Sequence, residues 1–272
     1  MKFSIWSSFF IELTPEKMVL EFERNGVKYS ELSDEHAIML MNRGDPTEIG
    51  SAFKSFAQAH NVSFPQGHLI LKARICMSEF VDLLIKQLDL FKAIGVKNAV
   101  LHVDSNDYDG ENTLDEKRAN NLKALRVLVE HIKDTDMVIC LENLRDKSIT
   151  KSADDLLFFV NEINSPNLGI CLDTGHLNLC DGDQASFIEK AGKHLKALHI
   201  QDNDGSGDQH IMPFGKGNVD LYEVVTSAKK IGYDGLYNLE IPGENRCPLE
   251  VKRLKIDYLK KMFELVDNET NS

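Results

Sequence analysis

Met137-Val-Ile-Cys-Leu-Glu142-Asn143 and Leu168-Gly-Ile-Cys-Leu-Asp173-Thr-Gly-His176 are the stretches that decide the fold. Each is apolar at consecutive positions and ends on an acid. A strand with one wet face alternates apolar and polar residues; an unbroken apolar run fits a parallel strand covered on both faces. Working outward, strands of this kind are expected at Phe3–Trp6, Val27–Leu32, Val62–His68, Ala99–Val103, Met137–Glu142, Leu168–Asp173, Leu195–Ile200 and Gly235–Ile241. Helical signals separate them. Thr14-Pro15 opens a helix that stops at Asn25-Gly26, and Ser78 precedes an amphipathic run closed by Ile94-Gly95. Ser152 caps a helix with Asp154 and Asp155 in its first turn, and Asp220 with Glu223 resembles a capping box. The last helix is expected over Pro248–Val266, with Asp267–Ser272 a frayed polar tail. Eight strand–helix units with no linker between them predict a single (β/α)8 TIM barrel spanning residues 1–272. A doubly wound open sheet is disfavoured because no G-x-G-x-x-G follows any strand.

Composition narrows the function. The 272 residues are 42% hydrophobic and 27% charged, an ordinary globular balance. No run approaches the roughly 20 apolar residues of a membrane span. Met1–Phe10 has the outline of a signal peptide, but serines at 4, 7 and 8 interrupt it and Glu12 follows, so a strand is the better reading. Of the five cysteines, Cys140 and Cys171 lie within apolar strands, which predicts reduced core residues in a cytoplasmic protein. A net charge of −12 offers no general surface for a polyanion, so nucleic acid is a disfavoured partner.

In a barrel of this kind the site lies where strands end. There the chain places His68, His102, Glu142, Asp173, His176, His199, Asp208, His210 and Glu240. Singly, each has a bland reading as a turn, a cap or a hydrogen-bonded core residue. Together, four carboxylates and five imidazoles at one barrel end would repel or remain badly desolvated without a cation. A divalent metal is therefore expected, and this ligand set suits zinc, manganese, cobalt or iron. Glu142, Asp173, His199 and Glu240, from four consecutive strands, make the compact quartet. Glu142 and Glu240 on opposite sides of a metal-polarised carbonyl could remove a proton from carbon and return one.

At these residues the chain resembles the xylose isomerase-like TIM-barrel superfamily. The resemblance is carried by Leu141-Glu142-Asn143, Gly169-Ile-Cys-Leu-Asp173-Thr-Gly-His176, Leu198-His199-Ile-Gln-Asp202, Asp208-Gln-His210-Ile-Met-Pro-Phe-Gly215-Lys-Gly217 and Leu239-Glu240-Ile. The group holds sugar isomerases and epimerases, inosose isomerases and dehydratases, dehydroshikimate dehydratase and endonuclease IV, of the second apurinic-site endonuclease family. The resemblance implies Glu142, Asp173, His199 and Glu240 as the metal quartet, with Glu142 and Glu240 also the catalytic acid/base pair. It implies His176 as a substrate or second-metal residue, and His68, His102, Asp208 and His210 as the further ligands of a three-zinc cluster. Departures from endonuclease IV are Ile5-Trp6-Ser7 in place of an amino-terminal His motif, Gly175 in place of Cys, and the acidic Gln201-Asp202-Asn203-Asp204 segment. The ketose 3-epimerases carry Arg six residues after the metal His, where this chain has Gly205. Trp6 as a pocket wall and Arg246 as a contact to a substrate oxygen are further expectations.

The function this implies is a metal-dependent isomerase or epimerase of a sugar, keto-sugar or cyclitol, working through a metal-stabilised enediolate. The alternatives are a dehydratase of the inosose or dehydroshikimate type, and a zinc-dependent apurinic-site nuclease. Sugar-type members are often dimers or tetramers, which makes a homo-oligomer an expected partner. Gly215-Lys-Gly217 lacks the spacing of a phosphate loop and reads as a turn. The acidic Asp104–Asp109 run reads as a solvated loop.

Overall fold

Parallel strands in a computed structural model, which describes residues 1–106, 111–145, 148–244 and 246–271, close into a ring in sequence order. They are β1 (Lys2–Trp6), β2 (Tyr29–Leu32), β3 (Ser63–His68), β4 (Asn98–Leu101), β5 (Val138–Glu142), β6 (Leu168–Asp173), β7 (Leu195–Ile200) and β8 (Leu236–Leu239). The ring shuts where β1 pairs with β8, Lys2 opposite Leu236 through Ile5 opposite Leu239. Around it lie α1 (Pro15–Arg24), α2 (Asp34–Met41), α3 (Pro46–Ala59), α4 (Ser78–Ile94), α5 (Leu114–Ile132), α6 (Ala153–Ile163), α7 (Thr174–Asn178), α8 (Gln184–Ala191), α9 (Leu221–Lys230) and α10 (Leu249–Glu269). This is the expected (β/α)8 barrel. Most strands are shorter than the apolar runs that announced them. Val27, Val62, Met137 and Ile241 are buried yet lie outside the strands, because an apolar run reports burial and not pairing.

The helix signals act as read, with two differences. Thr14 accepts from Lys17 N, Ser152 forms a full capping box with Asp155, and Asp220 accepts from Glu223 N. Ser78 is the first helical residue of α4 and its preceding residue Met77 makes no side-chain cap. Gly95 ends that helix at φ +97, a conformation a residue with a Cβ resists. The carboxy-terminal segment is not a frayed tail: α10 continues to Glu269. Asp267 accepts from the Met1 ammonium at 2.8 Å and from Lys229 Nζ at 2.6 Å, joining both chain ends to α9.

Strand geometry also positions the site. Side chains two apart on a strand share a face, so each residue at the barrel mouth stands above another interior position. Under Glu142, Asp173 and His199 those positions are Cys140, Cys171 and Ala197, which pack with Val100, itself below His102. Small side chains thus form a dry floor and leave the volume above it to ionisable groups. Cys140 and Cys171 are buried thiols, and the five cysteines are free. Among the described residues no helix is long and apolar enough to cross a membrane.

Asp267→Asn should lower the melting temperature at pH 7 by about 2–4 °C, on the order of 1 kcal/mol for a partly exposed pair. The ammonium partners hold the Asp267 carboxyl below its ordinary value against the opposing effect of burial. Its contribution is therefore present above about pH 4 and lost as pH falls through the depressed value, where wild type and variant should converge. Thermal melts at both pH values check this; equal melting temperatures at pH 7 would contradict it.

Candidate metal centre

Four strands deliver the quartet. Glu142 and Asp173 close β5 and β6, His199 sits in β7 opposite Asp173 in the ladder, and Glu240 follows β8 directly. All are at most 4% exposed. One ligand atom from each lies within 4.8 Å of the others. Three of the four also carry a buried polar atom with no hydrogen-bond partner: Asp173 Oδ2, His199 Nδ1 and Glu240 Oε2. His199 Nδ1 is 3.3 Å from Glu142 and 3.2 Å from Glu240, close enough for charge but not aligned for a hydrogen bond. Orphaned acceptors facing an imidazole nitrogen are what a divalent cation would satisfy, and oxygen and nitrogen donors in this number suit zinc, manganese, cobalt or iron(II).

The imidazoles are tied from behind. His199 Nε2 contacts Glu31 Oε2 at 2.8 Å, His68 Nδ1 the Leu69 carbonyl at 2.6 Å, His176 Nδ1 the Asn143 carbonyl at 3.0 Å, and His210 Nδ1 the Glu240 carbonyl at 2.9 Å. Each ring therefore donates one N–H to a fixed acceptor and turns its second nitrogen inward, the arrangement that fixes tautomer and orientation in metal-ligating histidines. The inward nitrogens of His68 and His199 meet Glu142, and those of His176 and His210 meet Asp208 at 3.4 and 3.1 Å. His176, Asp208 and His210 form a second cluster with metal-ligand spacing, and His68 with Glu142 and His199 a third. His102, one residue beyond β4 and partly exposed, reaches Glu142 at 3.0 Å.

Charge explains the titration behaviour. Burial opposes ionisation of Glu142, but the imidazoles of His199, His102 and His176 hold its carboxyl well below the usual range. Burial, with the nearby Glu240 and Glu142 charges, pushes Asp173 up to about 7 despite His176. Burial also opposes protonation of His68, yet the Glu142 carboxylate raises it to about 9. Carboxylates thus hold protons on the nitrogens that a metal would use, and metal loading must displace them.

Three residues that the sequence reading passed over complete the centre. Glu31, fully buried in β2, holds His199 and receives a bond from Gln66. An acid within Tyr29-Ser-Glu31-Leu32 was the available signal, the counterpart of Glu142 in β5. Asn143 grips the Asp173 backbone from both sides, at 2.7 and 3.0 Å. Gln201 donates to Asp173 at 3.2 Å and to Asp208 at 3.0 Å, joining the quartet to the second cluster. A Cβ on Gly175 would lie 2.2 Å from the Gln201 amide, so the glycine in the Asp-Thr-Gly-His motif is what admits Gln201.

Above the quartet opens a cavity of about 350 Å³ with Glu142 and Glu240 in its floor and Trp6, Leu71 and Pro242 as apolar walls. Trp6 is thus where expected. Arg246 is not: it is exposed in a turn at φ +66 and does not line the cavity. Gly205 lies in an exposed turn. Gly217 packs against Asp202, as a turn does. Of the acidic run, Asp104 is buried and accepts from the Asn106 side chain and backbone, not solvated as expected; Asp107 and Asp109 lie outside the described residues.

The fold and this clustering define a class, the (β/α)8 barrels with ionisable residues gathered at the strand ends. Residues 21–262 match the family described as xylose isomerase-like TIM barrel, and the chain belongs to that family. Among curated relatives, it is 31% identical to an L-ribulose 3-epimerase of a Methylomonas species over 58% of this chain and 54% of that one. It is 27% identical to a probable endonuclease 4 of Mycoplasmopsis pulmonis, over 62% and 64% respectively. The chain spans about half the length of the first curated relatives it matches. A D-tagatose 3-epimerase-like protein of known structure superposes with a TM-score of 0.81 at 22% identity, covering 99% of both chains, a likeness of fold.

Glu31→Gln should weaken divalent-metal binding by about 10–100-fold, since it loosens the ring that presents His199 Nδ1. Competition against a chromophoric chelator measures this; an unchanged affinity would contradict the role.

Proposed function

We propose that this chain is a divalent-metal-dependent epimerase or isomerase of a sugar, keto-sugar or cyclitol, with a ketose as the leading substrate class. The observation that carries it is the quartet with its three orphaned atoms, set beneath a cavity into which both Glu142 and Glu240 project. The 3-epimerase relatives support the same reading.

A metal held by Glu142, Asp173, His199 and Glu240 would supply Lewis acidity, polarising a carbonyl and adjacent hydroxyl and lowering the cost of carbanion character at carbon. The remaining work falls to the chain. Glu142 and Glu240 both stay ionised in the buried site, Glu240 down to about 2: burial opposes this, and His199 and His210 overcome it. Either carboxylate, from strand 5 or from the end of strand 8, could take a proton from one side of a substrate carbon; the opposite one would have to receive a proton from a neighbouring imidazole or water before delivering it to the other side, which is epimerisation. His176, tied to Asn143 and aimed at Asp208, would hold a substrate hydroxyl. Trp6, Leu71 and Pro242 exclude water, which protects the carbanionic intermediate from stray protonation.

A second reading has one observation of its own. The His176–Asp208–His210 cluster, with His68 beside Glu142, has the donors for further metals, as a three-zinc nuclease requires. The net charge of −12 and the acids at Asp202 and Asp204 weigh against a polyanionic substrate. Loss of water in place of inversion would use the same residues; the product mass separates the two.

Glu142→Gln and Glu240→Gln should each reduce turnover of the substrate found in a ketose, inosose and dehydroshikimate panel by at least about 10³-fold, while circular dichroism keeps the barrel signature. Near-normal turnover in either variant would overturn the mechanism.

A further inference from the structure

Among the described residues Lys252 is the only lysine or arginine withdrawn from solvent, 2% exposed, and no step of the proposed chemistry uses it. It stands in the first turn of α10 and reaches across the seam where the barrel closes. Its Nζ donates to both carboxylate oxygens of Glu12, at 2.6 and 2.8 Å, and to the Phe9 carbonyl at 3.1 Å. The rings of Phe9 and Phe10 complete its shell, their centroids 6.0 and 5.7 Å away. A buried ammonium is tolerated only where such partners replace its water.

The seam at this point needs a tie. The β1–β8 ladder ends at Ile5 opposite Leu239, one residue short of Trp6 on one side and of Glu240 on the other. Beyond it the strands hand over to segments that carry Trp6, Glu240 and Pro242, all three in the lining of the catalytic cavity. Ser7 and Ser8 fasten the first segment toward α2, through Ser33 N, His36 and Glu35. On the β8 side the tie is Lys252. Gly243 packs so closely there that a Cβ on it would lie 1.9 Å from the Phe9 oxygen and 2.8 Å from Lys252 Nζ. Lys255, three residues along α10, holds Glu244 at 2.6 Å. One helix end thus grips both segments. The Trp6 indole N–H has no hydrogen-bond partner among the described residues, so the place of the ring depends on the backbone that carries it.

We infer that Lys252, with Glu12, is a positioning residue for the substrate cavity: it latches the segment after β1 to the segment after β8 and so fixes the Trp6 and Pro242 walls against Glu240. The inference rests on reading that cavity as the substrate site and adds a determinant of how tightly a substrate is held. Neither Lys252 nor Glu12 lines the cavity. Loosening the latch should therefore weaken substrate binding more than the chemical step.

Trp6 is the only tryptophan of the chain, so its fluorescence reports on this wall without any substrate. Lys252→Met removes the buried charge and keeps an apolar stem, leaving Glu12, 45% exposed, to be rehydrated. Glu12→Gln removes the acid alone. In both variants, well below the melting temperature, acrylamide quenching of Trp6 should rise by at least about twofold. Glu21→Gln is the control: it breaks the pair made by Arg253, the next residue of the same helix, at 2.8 and 2.9 Å, and should leave quenching at the wild-type value. If Lys252→Met does not fold, Glu12→Gln decides alone. Wild-type quenching in a folded latch variant, or an equal rise in Glu21→Gln, overturns the inference. With the substrate found in the panel, Lys252→Met or, failing that, Glu12→Gln should raise KM by about tenfold and hold kcat within about twofold. An unchanged KM, or a loss confined to kcat, overturns it as well. Increased quenching in the latch variants when wild type converts no sugar leaves the latch standing and removes the sugar reading instead.

Discussion

Ionisable groups buried at the mouth of a closed barrel are the constraint on which the rest of this structure depends. Taking a carboxylate out of water costs several kcal/mol even after relaxation, and Glu31, Glu142, Asp173 and Glu240 are all withdrawn from solvent together. Part of that cost is met by imidazoles. Glu142 alone faces His68, His102, His176 and His199 at 3.0–3.3 Å. The part left unmet is localised: an oxygen on Asp173, an oxygen on Glu240 and a nitrogen on His199. Buried charge gathered at one point with acceptors left unsatisfied is what a cation would complete, and a cation there would reverse the local titration logic.

The barrel supplies the geometry for this from two elementary periodicities. Because strand side chains alternate, the last inward residue of each strand lands on one rim, and the inward residue beneath it decides how much room it has. Cys140, Cys171 and Ala197 keep that floor thin. Orientation then comes from a second set of contacts. Glu31, Asn143 and the carbonyls of Leu69 and Glu240 each take one ring N–H, and Gln201, admitted by Gly175, joins the quartet to the His176–Asp208–His210 cluster. Asymmetry around the centre gives it direction: apolar walls of Trp6, Leu71 and Pro242 on one side, and a lobe lined by Lys117 and Arg145 on the other.

Much of this was legible in the chain. Continuous apolar runs ending in Glu142 and Asp173 announced parallel strands and buried acids at the barrel mouth at once, since the same strand end that leaves the core reaches the rim. All nine ionisable residues singled out at strand ends do meet at the rim. Glu31 escaped notice because its strand is short and only Leu32 beyond it is apolar. Lys252 and Glu12 could not be paired from spacing: they meet from a helix and a loop, and only the fold brings them together. Arg246 stands in an exposed turn after β8, since a loop arginine near a strand end need not turn inward. The carboxy-terminal helix outran its apolar pattern because ion pairs of Asp267 hold its last turn, an interaction the periodicity of apolar residues does not register.

Metal per chain, measured by plasma mass spectrometry on protein purified without added metal or chelator, bears most directly on whether the quartet is a cation site. Wild type should retain about one equivalent of zinc, manganese, cobalt or iron, and Asp173→Asn, which removes one of the orphaned acceptors, should lose it. Metal-free wild type that also fails to take up any of these ions, or metal retained unchanged in Asp173→Asn, would contradict it.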